Sequence, residues 1–122
     1  MLRFVVLRHE TPPDYQRPLH WDLMLEKSGS LQTWALEAEP TTARTLIAER
    51  LNDHRLEYLD YEGPVSGNRG TVTCWDSGEF EWKEQAENRI VVELVGRRLR
   101  ANATLILESA ELQRWRVIFS TD

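Results

Sequence analysis

Cysteine is almost missing from this sequence of 122 residues. Cys74 is its one thiol, so no disulfide can form within the chain. Long apolar runs are missing too, and nothing approaches the ~20 residues of a membrane-spanning helix. The N-terminal segment M-L-R-F-V-V-L-R-H-E is too short and too soon charged for a secretory leader. A cytoplasmic protein is the expectation, and Asn102-Ala103-Thr104 is then a chance match to a glycosylation sequon. Positive charge is in deficit, with 15 Lys and Arg against 20 Asp and Glu, a net charge of −5. That balance argues against a non-specific grip on a phosphate backbone, which basic side chains dominate. It leaves room for a local patch at Arg97, Arg98, Arg100, Arg114 and Arg116, although these read first as solvated strand faces. There is no repeat, no low-complexity tract and no domain linker.

The residues that are present describe one globular domain, 1–122, expected as a monomer. Hydrophobic residues make up 41% of the chain, enough for a core. Five tryptophans call for an aromatic core or an aromatic-lined groove, and the core is the expectation because large aromatics bury. Cys74, within T-V-T-C-W, reads as a small core residue.

Along the chain, strand periodicity dominates. R-F-V-V-L-R (Arg3 to Arg8) is a first strand ending at His9, followed by a loop with three prolines. L-H-W-D-L-M-L-E (Leu19 to Glu26) alternates apolar and polar residues. With L-Q-T-W-A-L it forms a hairpin around Lys27-Ser28-Gly29-Ser30. Ala43, Leu46, Ile47 and Leu51 fall at helical spacing behind Thr41 and Thr42, which predicts one short helix over 43–51. Strands are then expected over 70–75 and 79–83, flanking a turn at Asp76-Ser77-Gly78, and over 88–95, 98–107 and 112–120. The fold class is mainly β: a compact β-barrel of about eight short strands, with a sandwich as the other arrangement such strands allow.

Each of the three histidines has an acid beside it: His9-Glu10, His20-x-Asp22 and Asp53-His54. On a strand, His20 and Asp22 lie roughly 6.5 Å apart on one side. That face is either an ordinary wet surface or half of a metal site. Histidine with carboxylate suits Mn, Fe or Zn. His9 supplies a third ligand if the first two strands are neighbours.

The ordered series R-F-V-V-L-R-H-E, L-H-W-D-L-M-L-E, L-Q-T-W-A-L, N-D-H-R-L-E-Y-L-D-Y-E-G and G-T-V-T-C-W-D-S-G resembles the 3′-phosphoesterase domain of bacterial DNA ligase D, over nearly the whole chain. The resemblance implies a manganese-dependent β-barrel enzyme, with zinc as another candidate metal. Such an enzyme trims DNA 3′ ends that carry ribonucleotides or 3′-phosphates, on a primer–template and alongside repair ligase or polymerase proteins. It implies metal ligands at His9, His20 and Asp22 and a phosphate contact at His54. Imidazole suits that role as a donor to phosphate or to the leaving oxygen. Tyr58, Glu57 and Asp53 are then groups that orient the site.

The sequence also departs from the family pattern. Met24 stands where the family strand carries a phosphate-clamping arginine, and Leu36-Glu37-Ala38-Glu39 has no lysine after the W-A motif. The family's basic residue before D-H has no secure counterpart, although Arg44 or Arg50 can supply one. The chain starts almost at the first strand, so the family's N-terminal extension is expected to be absent. The loop between His9 and His20 is longer and carries Tyr15 and Arg17. Arg8, Arg50 and Arg69 are the candidate phosphate-binding substitutes. Losing two clamps would cost roughly 10²-fold in rate. Three functions compete on this sequence. One is a phosphoesterase. Another is a catalytically degenerate module of the same fold that holds metal and a nucleic-acid end or a repair partner. The last is an iron oxygenase built on H-x-D plus a distant histidine, which the short chain disfavours.

Overall fold

Residues 1–121 are described by the structure, a computed structural model, and Asp122 lies outside the described residues. They form nine strands: β1 (Leu2–Glu10), β2 (His20–Lys27), β3 (Ser30–Leu36), β4 (Leu46–His54), β5 (Gly63–Pro64), β6 (Thr71–Gln85), β7 (Arg89–Gly96), β8 (Arg100–Ser109) and β9 (Arg114–Ser120). The hydrogen-bonded order is β1-β2-β3-β4-β9-β8-β7-β6-β5, and pairing of β1 with β6 closes eight of them into a barrel. All pairs are antiparallel, and β5 is a two-residue strand on the side of β6. Closure leaves the barrel without a free edge for another chain to pair with. No helix among the described residues is long and apolar enough to cross a membrane.

Alternation along each strand fills the barrel. Phe4 and Val6 on β1, Leu23 and Leu25 on β2, and Trp34 and Leu36 on β3 point inward with Leu94, Leu105, Val117 and Phe119, all buried. Trp34 and Trp115 meet edge to face, with centroids 5.6 Å apart, so two of the five tryptophans are core residues as expected. The opposite faces of β1 and β2 are buried as well. Val5, Leu7, Met24 and Leu31 lie beneath Leu59 and Val65, with Val72 completing a second apolar cluster. The cover is the segment after β4, a single turn of 3₁₀ helix (Leu56–Leu59) leading into β5. The central strands of the future site are therefore sandwiched between the barrel interior and a lid of this chain's own making.

The β2–β3 hairpin forms as expected. Ser28 and Gly29 both take positive φ, 52° and 85°, the combination that a two-residue hairpin turn requires.

The helix expected over 43–51 does not form. Thr41 Oγ1 does accept from the Ala43 N–H at 3.1 Å, as a helix cap would, but the chain then enters β4. Leu46 and Ala48 are buried while Ile47 and Glu49 are not, so period two prevails over the coincidental helical spacing. The physical cause is long-range: β4 bridges β3 and β9 and so closes the barrel. The one helical element among the described residues is instead the turn Leu56–Leu59.

The turn expected at Asp76-Ser77-Gly78 is likewise strand, continuous through β6. Asp76 is buried, and its carboxylate accepts from the backbone N–H groups of Ser77, Arg97, Arg98 and Leu99, which ties the β7–β8 connection to β6. Gly78 is required by close approach, because a Cβ there would collide with the Val95 backbone. Eight barrel strands result, but from a different set: β4 replaces the helix, and two predicted strands merge into β6. Cys74 is exposed rather than core, since β5 pairs with Thr71 and Val72 and stops short of it.

Candidate metal centre and its cleft

The β1–β2 register decides the site. His9 stands opposite His20, and Leu7 opposite Asp22. Residues directly opposite on antiparallel strands share a face, so His9, His20 and Asp22 converge on the outer side of the barrel wall. The face is not wet: His20 is 3% and Asp22 2% exposed. The three side chains offer ligand atoms within 4.8 Å of one another, a group that can hold a metal ion.

The hydrogen bonds orient both rings. His20 Nδ1 donates to the Pro18 carbonyl at 2.8 Å, which leaves Nε2 facing Asp22 Oδ1 at 3.1 Å. His9 Nε2 donates to the Arg69 carbonyl at 2.7 Å, which leaves Nδ1 facing Asp22 Oδ2 at 3.1 Å. Backbone acceptors of this kind fix the tautomer of a metal-ligating imidazole. Asp22 Oδ1 is buried without an aligned hydrogen-bond partner, a cost that a cation removes. Two imidazoles and one carboxylate with an unsatisfied oxygen fit a divalent transition metal.

The electrostatics agree. Burial pushes the Asp22 carboxyl up, but the His20 and His9 rings outweigh it and hold it at about 2. For His9, burial pushes down, while Asp22 and the Arg69 carbonyl raise the imidazolium above its ordinary 6.5. The Asp22 carboxylate is thus held ionised between the two rings, and a bound cation would take the ring nitrogens that face it.

A cleft of about 380 Å³ opens over this group. It is lined by His9, His20, Asp22 and Met24, by Asn52, Asp53 and His54 from the end of β4, and by Tyr58 and Arg69 from the segment that follows. His54 Nδ1 donates to the Asn52 carbonyl at 2.9 Å, and the ring packs edge to face on Tyr58 at 5.5 Å. His54 and Tyr58 thus flank the cleft. Asp53 also borders it, but its carboxylate accepts from Ser30 at 3.2 Å and Arg50 at 3.3 Å.

Of the three arginines singled out in the sequence, the structure brings one to the cleft. Arg69 lines it, held by Ser66 through Nε and Nη2. Arg50 turns to the other side of β4 and stacks over Trp34 at 4.7 Å, in a separate cavity. Arg8 pairs with Glu10 at 2.8 Å, away from the residues lining the cleft. Arg44 pairs with Glu37 at 3.5 Å and is likewise not among them. Arg17 and Tyr15 from the long loop do line the cleft, as does Arg55. Sequence reasoning passed over Arg55, although it follows His54 directly. It had no means of finding the Pro18 and Arg69 carbonyls, because backbone acceptors leave no trace in side-chain pattern.

The comparisons with known proteins agree with this geometry. Residues 9–107 match the family described as the DNA ligase D 3′-phosphoesterase domain. Multifunctional non-homologous end joining protein LigD of Mycolicibacterium smegmatis is 31% identical over 120 residues, covering 85% of this chain. The Mycobacterium tuberculosis non-homologous end joining DNA repair protein LigD is 30% identical over 121 residues, covering 92%. In Pseudomonas aeruginosa LigD the identity is 34% over 85 residues, covering 66%. The chain spans 15% of the length of the two mycobacterial relatives and 10% of the Pseudomonas one. With a family match running from His9 to Leu107, which includes all three residues of the candidate metal group, the chain belongs to the DNA ligase D 3′-phosphoesterase domain family.

Proposed function

We propose that this protein is a divalent-metal phosphoesterase that processes DNA 3′ ends, removing a 3′-phosphate or a 3′-ribonucleotide in end-joining repair. The observation that carries the reading is the convergence of His9, His20 and Asp22 in a cleft that His54 also lines. His9, His20 and Asp22 would hold the metal, with manganese favoured and zinc the other candidate. A divalent cation at such a site supplies Lewis acidity toward a phosphate oxygen and acidity to an attacking water. With Nδ1 bonded to the Asn52 carbonyl, His54 has Nε2 left for the substrate, and in its doubly protonated form it would donate from Nε2 to the phosphate or its leaving oxygen. Tyr58 packs against that ring and positions it. The relatives are named for non-homologous end joining, so repair ligase or polymerase proteins are the partner class proposed for this chain.

One observation favours a second reading, a module that holds metal and a nucleic-acid end without turnover. Met24, the next residue of β2 on the same face as Asp22, is buried among Val5, Leu7 and Leu31 and offers the cleft no charge. End-trimming decides between the two. Purified protein is incubated with manganese and a labelled primer–template ending in a 3′-phosphate or ribonucleotide, beside His9→Ala and His20→Ala. Trimming by the wild type that both variants lose supports the enzyme. Manganese binding without trimming leaves the binding module.

A further inference from the structure

We propose that Arg17, carried by the loop between β1 and β2, is the residue that binds the phosphate beside the metal centre, and that Glu49 is the partner it leaves to do so. The inference rests on the phosphoester reading above and adds a residue to it.

A phosphate over His9, His20 and Asp22 needs positive charge from the cleft wall, and β2 provides none beyond its metal ligands. Three arginines line the cleft: Arg17, Arg55 and Arg69. Arg69 is already engaged, with Nε and Nη2 on the Ser66 carbonyl and hydroxyl and its own carbonyl holding His9. Moving it would release a metal ligand. The Arg55 side chain is 81% exposed and pairs with Glu57, so water and salt screen it.

Arg17 differs on each count. Its side chain is only 22% exposed. Nη2 donates to Glu49 Oε1 at 2.6 Å, while Nε and Nη1 have no protein hydrogen bond among the described residues. A guanidinium carries five N–H donors in a fork that matches phosphate, so most of its capacity is unused. Glu49 is a replaceable partner, half-exposed on β4, and its carboxylate has no other hydrogen bond among the described residues.

The loop presents Arg17 in a fixed place. Thr11 Oγ1 donates to the Arg17 carbonyl at 2.7 Å, and the Tyr15 N–H donates to the Pro12 carbonyl at 3.0 Å. Prolines at 12, 13 and 18 restrict the rest of the loop. The next carbonyl, that of Pro18, accepts from His20 Nδ1. One short stretch of backbone thus anchors both a metal-ligating ring and the guanidinium, so little freedom is lost when Arg17 engages a ligand.

The test is a binding measurement with a labelled oligonucleotide ending in a 3′-phosphorothioate, which resists hydrolysis, against the same oligonucleotide ending in a 3′-hydroxyl. Both are titrated with manganese-loaded protein and read by fluorescence anisotropy. The wild type is expected to prefer the phosphorothioate end. Arg17→Ala is expected to lose at least about tenfold of that preference, the scale of one charge-assisted contact, while Arg17→Lys keeps part of it. Glu49→Gln is expected to tighten binding several-fold, because a competing carboxylate is gone. Full preference in Arg17→Ala overturns the role of Arg17 and leaves the phosphoester reading standing. Weaker binding by Glu49→Gln overturns the exchange of partners. A wild type that binds manganese but shows no preference for the phosphorothioate end overturns this proposal together with the reading beneath it.

Discussion

His9 and His20 face one another across the β1–β2 pair with ring centroids 4.6 Å apart, and each gives the nitrogen that points away from Asp22 to a backbone carbonyl. Both imidazoles therefore turn their remaining nitrogen on a single buried carboxylate, and that convergence makes Asp22 the most sensitive position in the cleft.

Asp22→Asn keeps the shape and removes the charge. Manganese affinity should fall by at least about 100-fold, because a neutral amide is a poor ligand and two oriented imidazoles remain. Isothermal titration calorimetry measures this. Unchanged affinity would remove Asp22 from the ligand set.

The metal-free protein should be most stable in mildly acidic solution. Asp22 is held at about 2 against an ordinary 3.8, so its contribution, about 2 kcal/mol, is present above pH 4 and is lost as pH falls toward 2. The His9 imidazolium is raised above 6.5, so its contribution is full below that pH and is lost as pH rises through the raised value. Tm should therefore peak between about pH 4 and pH 6.5. Manganese should reverse the alkaline side, since its ligands must be deprotonated, and the gain in Tm on adding it should grow with pH. Thermal melts at stepped pH with and without manganese read both trends. A metal-induced gain that shrinks above pH 6.5 contradicts the assignment of His9 as a ligand.

His54→Ala should separate chemistry from metal binding. The ring bonds Asn52 and packs on Tyr58, and it has no hydrogen bond to the three metal-ligand candidates among the described residues. Manganese affinity should stay within about twofold while end-trimming falls by about 10²-fold or more, the usual worth of a positioned acid. Loss of both together would place His54 in the metal group instead.

Asp76→Ala should cost about 3 kcal/mol of stability, because backbone N–H groups of Arg97, Arg98 and Leu99 lose their shared acceptor, the last of them in a buried setting. Urea unfolding gives the value. A change below about 0.5 kcal/mol would mean that the β7–β8 connection holds without it.

The site was more legible in the sequence than the barrel around it. His20 and Asp22 announce themselves by strand alternation, and family-like spacing adds His9 and His54. Local pattern suffices there because the β1–β2 pairing that assembles the group joins consecutive strands. Residues 43–51 and 76–78 were misread for the opposite reason. Thr41 and Asp76 carry cap and turn chemistry, and partners distant in sequence decide how it is used: β9 draws β4 into a strand, and the β7–β8 connection takes up Asp76.

The sequence by itself determined a β-rich domain of the ligase D phosphoesterase family and singled out the three residues that come together as a candidate metal group, because alternation and motif spacing are local properties of the chain. Tertiary structure alone decided which arginines share the cleft with that group. Arg50 lies on the wrong side of β4, Arg69 is committed to Ser66, and Arg17 arrives on a proline-stiffened loop. A charged side chain's neighbours depend on which face of the sheet it leaves and on what the chain folds over that face. Neither is written at its own position in the sequence.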